Sequence, residues 1–211
     1  MTDNDWFNEN KKNIMKIILL HGLYMHGVAM LPLEKRLESA GHKVLNLSYN
    51  TIMPDLSGLF RAMDNFIDGD DIAIVAHSMG GVITRAYLEN GSDMSKCVKT
   101  VITLGTPHKG SKVAAFFKDI GIGDFMFQES SRFLMPEQEP TWPEGSTLYS
   151  IAGDMRIGPA TVLVRDEESD GTVLVEETKI DGMTSHEVFP LTHSALIFAK
   201  RVSERILEIL E

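Results

Sequence analysis

The stretch Asp71 to Gly81 reads DIAIVAHSMGG. Its first part, Asp71 to His77, is an almost unbroken apolar run without polar alternation, which predicts a central strand covered on both faces of a parallel sheet. Small residues surround the serine that follows, in Ala76-His77-Ser78-Met79-Gly80-Gly81. Gly80 to Asn90 then reads as a helix that Gly91 terminates. Strand, turn and helix follow one another with no spacer. In so sharp a turn the residues two before and two after the serine crowd together, so both must be small. Here they are Ala76 and Gly80.

The alternation extends outward in both directions. Upstream, Met15 to His21 predicts a strand ended by Gly22, and Leu31 to Ala40 a helix with Leu33 and Leu37 on one face. Lys43 to Tyr49 predicts a second strand and Leu56 to Ile67 an amphipathic helix. Downstream, Cys97 to Leu104, Thr147 to Gly153 and Glu187 to Leu191 predict strands, and His193 to Leu210 a closing helix. This order implies the α/β class: a three-layer α/β/α sandwich on a mainly parallel sheet, in one domain over 1–211. Ligands of such sheets bind beyond the carboxyl ends of the strands. One stretch, Ser111 to Gly145, breaks the alternation and carries Phe116, Phe117, Phe125, Phe127, Phe133 and Trp142. Two readings are open: a small cap or lid over the strand ends, or aromatics that pack a peripheral helix on the sheet.

Composition narrows the function. The 211 residues carry a formal net charge of −10, which repels a phosphate backbone and argues against nucleic acid as a partner. The single cysteine, Cys97, admits no internal disulfide and fits a reducing compartment. Met1 to Asn13 is polar and acidic, without the pattern of a secretory signal, and the apolar run from Ile14 to Leu20 is too short for a transmembrane segment. The expectation is a soluble, cytoplasmic protein.

A serine on a strained strand-to-helix turn stands clear of the backbone and can serve as a nucleophile. The strict pattern is G-x-S-x-G, from which Ala76 departs by one methyl group. The amide of Met79 opens the helix, where developing negative charge is favoured. His21-Gly22-Leu23 follows the first strand, and the amide of Leu23 is the expected second oxyanion donor. A nucleophilic serine needs a base, and the base an orienting acid. His193, after the last strand, is the expected base. His186 precedes that strand, and His108 comes too early in the order. For the acid, Asp170 in Ser169-Asp170-Gly171-Thr172-Val173 is preferred, with Asp154, directly after the fifth strand, as the alternative. Asp166, Glu167 and Glu168 read as a solvated charge run.

Together, His21-Gly22-Leu23, AHSMGG (Ala76 to Gly81), GTPHKGS (Gly105 to Ser111), SDGTV (Ser169 to Val173) and THSAL (Thr192 to Leu196) resemble the lipase and esterase branch of the α/β-hydrolase fold. The likeness is to small bacterial lipase-like proteins, and more distantly to enzymes that deacylate lipids. It covers nearly the whole chain after Ile14. It implies a reduced α/β-hydrolase fold without the N-terminal strands of larger members. By this resemblance Ser78 matches the nucleophile, Asp170 the acid and His193 the base. Leu23 and Met79 match the oxyanion positions, and His108 a position near the site outside the triad. The implied activity is hydrolysis of a small-molecule or lipid carboxylic ester through an acyl-enzyme, with no cofactor and no metal. Tyr24, Phe125 and Phe127 are expected to line the substrate pocket. Acyl transfer on the same triad and a non-catalytic ligand-binding module are the alternatives. The particular ester, its chain length and the oligomeric state are not legible.

Overall fold

The computed structural model describes residues 14–119, 140–163 and 166–211. Six strands form one sheet: β1 (Lys16–Leu20), β2 (Lys43–Leu47), β3 (Ile72–His77), β4 (Val98–Leu104), β5 (Thr147–Gly153) and β6 (Ser185–Phe189). Their spatial order is β2-β1-β3-β4-β5-β6, and every neighbouring pair is parallel. Parallel strands need crossovers, and these carry α1 (Leu31–Ser39), α2 (Leu56–Ile67), α3 (Met79–Glu89), α4 (Lys112–Asp119) and the short α5 (Ala160–Leu163). After β6 come α6 (Ala195–Phe198) and α7 (Lys200–Leu210). No helix among the described residues is long and apolar enough to cross a membrane.

The chain leaves β1 toward β2 on one side, then returns past β1 to β3 on the other. Because such crossovers keep one hand, the reversal puts helices on opposite faces. Two buried clusters result. Alternate residues of β1 and β3, Ile18, Leu20, Ile72, Ile74 and Ala76, pack with Leu59 and Met63 of α2 and with Ile83 and Tyr87 of α3. The intervening residues, Ile17, Leu19, Ala73 and Val75, pack with Leu33 and Leu37 of α1 and with Val202 and Ile206 of α7. This is the expected three-layer sandwich. The reversal also leaves a switch point between the carboxyl ends of β1 and β3, the place where open α/β sheets bind ligands.

Most elements lie where the sequence predicts them, and α2 has the predicted bounds. Two differ. The last strand is Ser185–Phe189, not Glu187–Leu191. Pro190 has no N–H to donate to a ladder, so β6 stops before it. The closing helix is two helices, because Ala199 is extended at φ −67, ψ 126. Arg36 of α1 donates from Nη1 to the Phe198 carbonyl at 2.8 Å and satisfies the helix end there. The break turns Leu196 and Ile197 of α6, and Val202, Ile206 and Leu210 of α7, onto one cluster. The aromatic stretch is divided: α4 and Trp142 are described, whereas Phe125, Phe127 and Phe133 lie outside the described residues. Trp142 is buried in the cluster shared with α2 and α3, with its indole edge-to-face to His108. It therefore packs against the core on that face of the sheet.

If the sheet core carries the stability, Ile74→Ala should cost about 2–5 kcal/mol. Ile74 is fully buried between β1 and β4. Asp55→Ala, which removes the carboxylate capping the Gly58 amide of α2 at 2.9 Å, should cost about 1 kcal/mol. Urea unfolding of both variants checks the ranking.

Candidate active site

Ser78 sits between β3 and α3 at φ 55, ψ −126, one of three described non-glycine residues with positive φ. Three bonds hold the turn. Its amide donates to the Leu104 carbonyl at 2.9 Å, and its carbonyl accepts from the Gly81 amide at 3.0 Å and from Thr106 Oγ1 at 2.9 Å. Gly80 lets α3 press on the end of β1, since a Cβ there would lie 2.7 Å from the Leu20 carbonyl oxygen. Ala76, the departure from the strict pattern, has its methyl in the core beside Leu20 and Met79.

Three side chains meet here. The Ser78 hydroxyl donates to His193 Nε2 at 3.0 Å, and His193 Nδ1–H donates to Asp170 Oδ2 at 2.6 Å. These directions follow from the network, because a carboxylate only accepts and the ring then has its free lone pair at Nε2. Asp170 Oδ1 accepts from the amides of Thr172 and Val173 at 2.9 and 2.8 Å. Those bonds explain the turn SDGTV: the aspartate caps its own backbone with one oxygen and leaves the other for the imidazole. The backbone of His193 is fixed too. Its N–H donates to the Asp170 carbonyl at 2.9 Å, and its carbonyl accepts from His77 Nε2–H at 3.1 Å. The alternative acid, Asp154, is exposed and is not the carboxylate bonded to His193.

The two rival histidines are bonded elsewhere. His186 meets Thr178 Oγ1 at 2.7 Å, and His108 Nε2 meets Thr103 Oγ1 at 3.1 Å. Burial holds His77 well below the ordinary imidazole range, with the neighbouring His193 adding to the effect. Burial, with Arg85 nearby, brings His108 down to about 3.

The turn after β1 faces Ser78. A Cβ on Gly22 would lie 2.8 Å from Ser78 Cβ, so only glycine lets this backbone so close. The Gly22 carbonyl accepts from His21 Nδ1–H at 3.1 Å and from the Met25 amide at 3.3 Å. In a trans peptide C=O and N–H point in opposite directions, so the Leu23 N–H projects away from those donors. Neither the Leu23 nor the Met79 amide donates to another atom of the described residues.

A cleft of about 420 Å³ opens over Ser78 and His193, with Leu23, Tyr24, Pro107, Val113, Ala114 and Pro159 among its lining. Tyr24 lines this cleft, whereas Phe125 and Phe127 lie outside the described residues. A larger cleft of about 500 Å³ shares Tyr24 and Met25 but does not reach Ser78. One residue had no signal in the sequence. Glu177 looks like surface charge beside Glu176, yet it is buried and accepts from the amides of Lys112 at 2.6 Å and Leu174 at 2.9 Å. It ties the start of α4, which lines the cleft, to the loop behind Asp170. Burial pushes its carboxyl up to about 7 despite the two amides.

A parallel sheet of this order, with a serine on a strained turn after a central strand, defines the class of α/β-hydrolase folds. Solved structures agree. The mature form of Bacillus licheniformis lipase BlEst2 superposes with a TM-score of 0.76 at 19% identity, covering 96% of this chain and 94% of that one. The metagenomic carboxyl esterase MGS0156 gives 0.70 at 15% identity over 93% and 74%. At these identities the likeness is one of fold. Residues 24–138 match the family described as PGAP1-like alpha/beta domain, and the chain belongs to that family. Among curated relatives, a GPI inositol-deacylase of Coccidioides immitis (strain RS) is 26% identical over 160 residues, which is 72% of this chain and 12% of that protein. One from Emericella nidulans is 31% identical over 114 residues, 52% of this chain and 9% of that protein. The chain thus spans about a tenth of the length of the relatives it matches.

Neutral buried histidines make stability depend on pH. A histidine held below its unfolded value of 6.5 lends full stability above pH 6.5, and that stability is lost as pH falls toward the folded value. Glu177 acts in the opposite sense: its contribution is full below 4.5 and lost as pH rises through about 7. With three histidines buried at His21, His77 and His108, the net effect should be loss of unfolding free energy between about pH 7.5 and 5. In His108→Gln that difference should shrink by about 2 kcal/mol. Denaturant melts at the two pH values measure it.

Proposed function

We propose that the chain is a serine carboxylic ester hydrolase working through an acyl-enzyme. The observation that carries this reading is the hydrogen-bonded row Ser78–His193–Asp170 beneath an open cleft. Ser78 Oγ attacks the ester carbonyl as its proton passes to His193 Nε2. Asp170 holds the ring in the tautomer that accepts this proton and stabilises the imidazolium that forms. The amides of Leu23 and Met79 receive the oxyanion, a role supported by their having no other acceptor among the described residues. His193 returns the proton to the departing alcohol. Water, deprotonated by His193, then releases the acid and restores Ser78. The chemistry needs no cofactor.

The apolar wall of Pro107, Val113, Ala114 and Pro159 suits an acyl chain, at about 0.8 kcal/mol per buried methylene. Ser111, Val113 and Ala114 belong to the start of the 111–145 segment, and their position at the cleft supports reading this segment as a cap that shapes acyl preference. The relatives named GPI inositol-deacylase support deacylation as the direction of the reaction. Ser78→Ala should abolish both ester turnover and labelling by a fluorophosphonate, with the melting temperature retained. A mutant that still hydrolyses short p-nitrophenyl esters at the parent rate removes Ser78 from the role. Asp170→Asn should lower kcat by a factor on the order of 10⁴, while Asp154→Asn should stay within a few-fold of the parent. Steady-state kinetics on the same esters gives the ranking.

A further inference from the structure

The segment after β2 contributes nothing to the row of Ser78, His193 and Asp170, yet it grips the turn after β1 at several points. The Tyr49 hydroxyl donates to the His21 carbonyl at 2.5 Å, and the Tyr49 amide donates to His21 Nε2 at 3.2 Å. The two rings stack, with centroids 4.3 Å apart and 14° between planes. Two residues on, Thr51 Oγ1 accepts from the Tyr24 amide at 3.0 Å. His21 and Thr51 are both buried.

We propose that Tyr49 and Thr51 are positioning residues that set the direction of the Leu23 amide. Leu23 lies between two peptide units, and each is anchored from this segment. The unit before it, Gly22–Leu23, is held by its carbonyl, which accepts from His21 Nδ1–H at 3.1 Å. That proton is at Nδ1 because the Tyr49 amide occupies Nε2, and the Tyr49 hydroxyl, donating to the His21 carbonyl, holds the peptide unit that leads into Gly22. The unit after it, Leu23–Tyr24, is held by its N–H, which Thr51 accepts. Tyr24 itself stands at φ 57, a left-handed conformation that a non-glycine residue keeps only when its surroundings impose it. With both planes fixed, the backbone of Leu23 has no soft torsion left. Its N–H then waits in place for the oxyanion instead of having to be turned toward it during the reaction.

The inference rests on Ser78 being the nucleophile, and the experiment separates the two. Thr51→Val keeps the shape and removes the acceptor. Tyr49→Phe removes one hydroxyl, and Thr51→Ser restores the acceptor. Each is assayed with a short p-nitrophenyl ester, with a trifluoromethyl ketone whose serine adduct carries an oxyanion, and by thermal melting. Thr51→Val and Tyr49→Phe should each lose roughly 10- to 100-fold in kcat with KM within about twofold. Ketone affinity should weaken in proportion to kcat/KM, and Thr51→Ser should recover most of the loss. A merely structural role would lower the melting temperature and leave kcat of the folded fraction intact, and that result overturns the proposal. So do unchanged kinetics in both variants of an active parent. A parent that neither hydrolyses the ester nor reacts with a fluorophosphonate sinks the reading of Ser78 first, and the positioning role falls with it. If Thr51→Val does not fold, Tyr49→Phe, which removes the hydroxyl bond to the His21 carbonyl and leaves the backbone bond to Nε2, still tests the Tyr49 half of the proposal.

Discussion

Ser78 is held at φ 55, ψ −126, and the rest of the site is arranged around that backbone. A non-glycine residue in such a region costs about 1–3 kcal/mol, and it persists only where neighbours over-determine it. Here they do so from three directions. The β3–β4 ladder runs one bond further to the Ser78 amide, Thr106 grips its carbonyl, and the first turn of α3 closes on the same oxygen. The start of α3 is thereby pressed on the end of β1, at a distance only Gly80 allows. That contact also brings Gly22 against Ser78. One strained residue thus sets the spacing between the serine and the turn after β1.

The side chains of Ser78, His193 and Asp170 are bonded to one another and Asp170 also to the nearby backbone, and that gives the arrangement its rigidity. His193 is anchored by its backbone at both ends, by its N–H to Asp170 and by its carbonyl to His77. Its side chain spans Ser78 and Asp170 with little freedom left. The carboxyl group of Asp170 is divided between the amides of its own turn and the imidazole. Surface pairs such as Lys96–Asp93 and Lys200–Glu204 are of another kind. Their solvent exposure leaves each contributing little. The geometry of the site therefore depends on the two apolar clusters and the buried polar network.

Glu177 extends the same logic to the edge of the cleft. Its carboxylate caps the start of α4 and the Leu174 amide together, so the helix bordering the cleft and the loop presenting Asp170 share one anchor. Arg205 does a comparable service on the far face, where its guanidinium takes both oxygens of Glu187 and fastens α7 to β6.

The alternation of strands and helices, the small-residue turn at Ser78 and the bounds of α2 were legible in the sequence. Each follows from hydrophobic periodicity or residue size over a few consecutive positions. Ser78, His193 and Asp170 were nameable for the same reason, since each closes or follows a recognisable element. Their meeting was not visible, and the sequence preferred Asp170 without excluding Asp154. Both follow a plausible strand or turn, and only the folded chain leaves Asp154 exposed while bringing Asp170 to 2.6 Å from the imidazole. The break at Ala199 carries no glycine or proline. It is satisfied by Arg36, 162 residues earlier than the carbonyl it reaches. Tyr49 and Glu177 look like an ordinary strand-end aromatic and a solvated acid until residues 28 and 65 positions away are packed against them. Local pattern decides which element forms, because it acts within one turn of helix or one pleat. Which polar atoms find each other is decided by surfaces that exist only after the sheet has assembled.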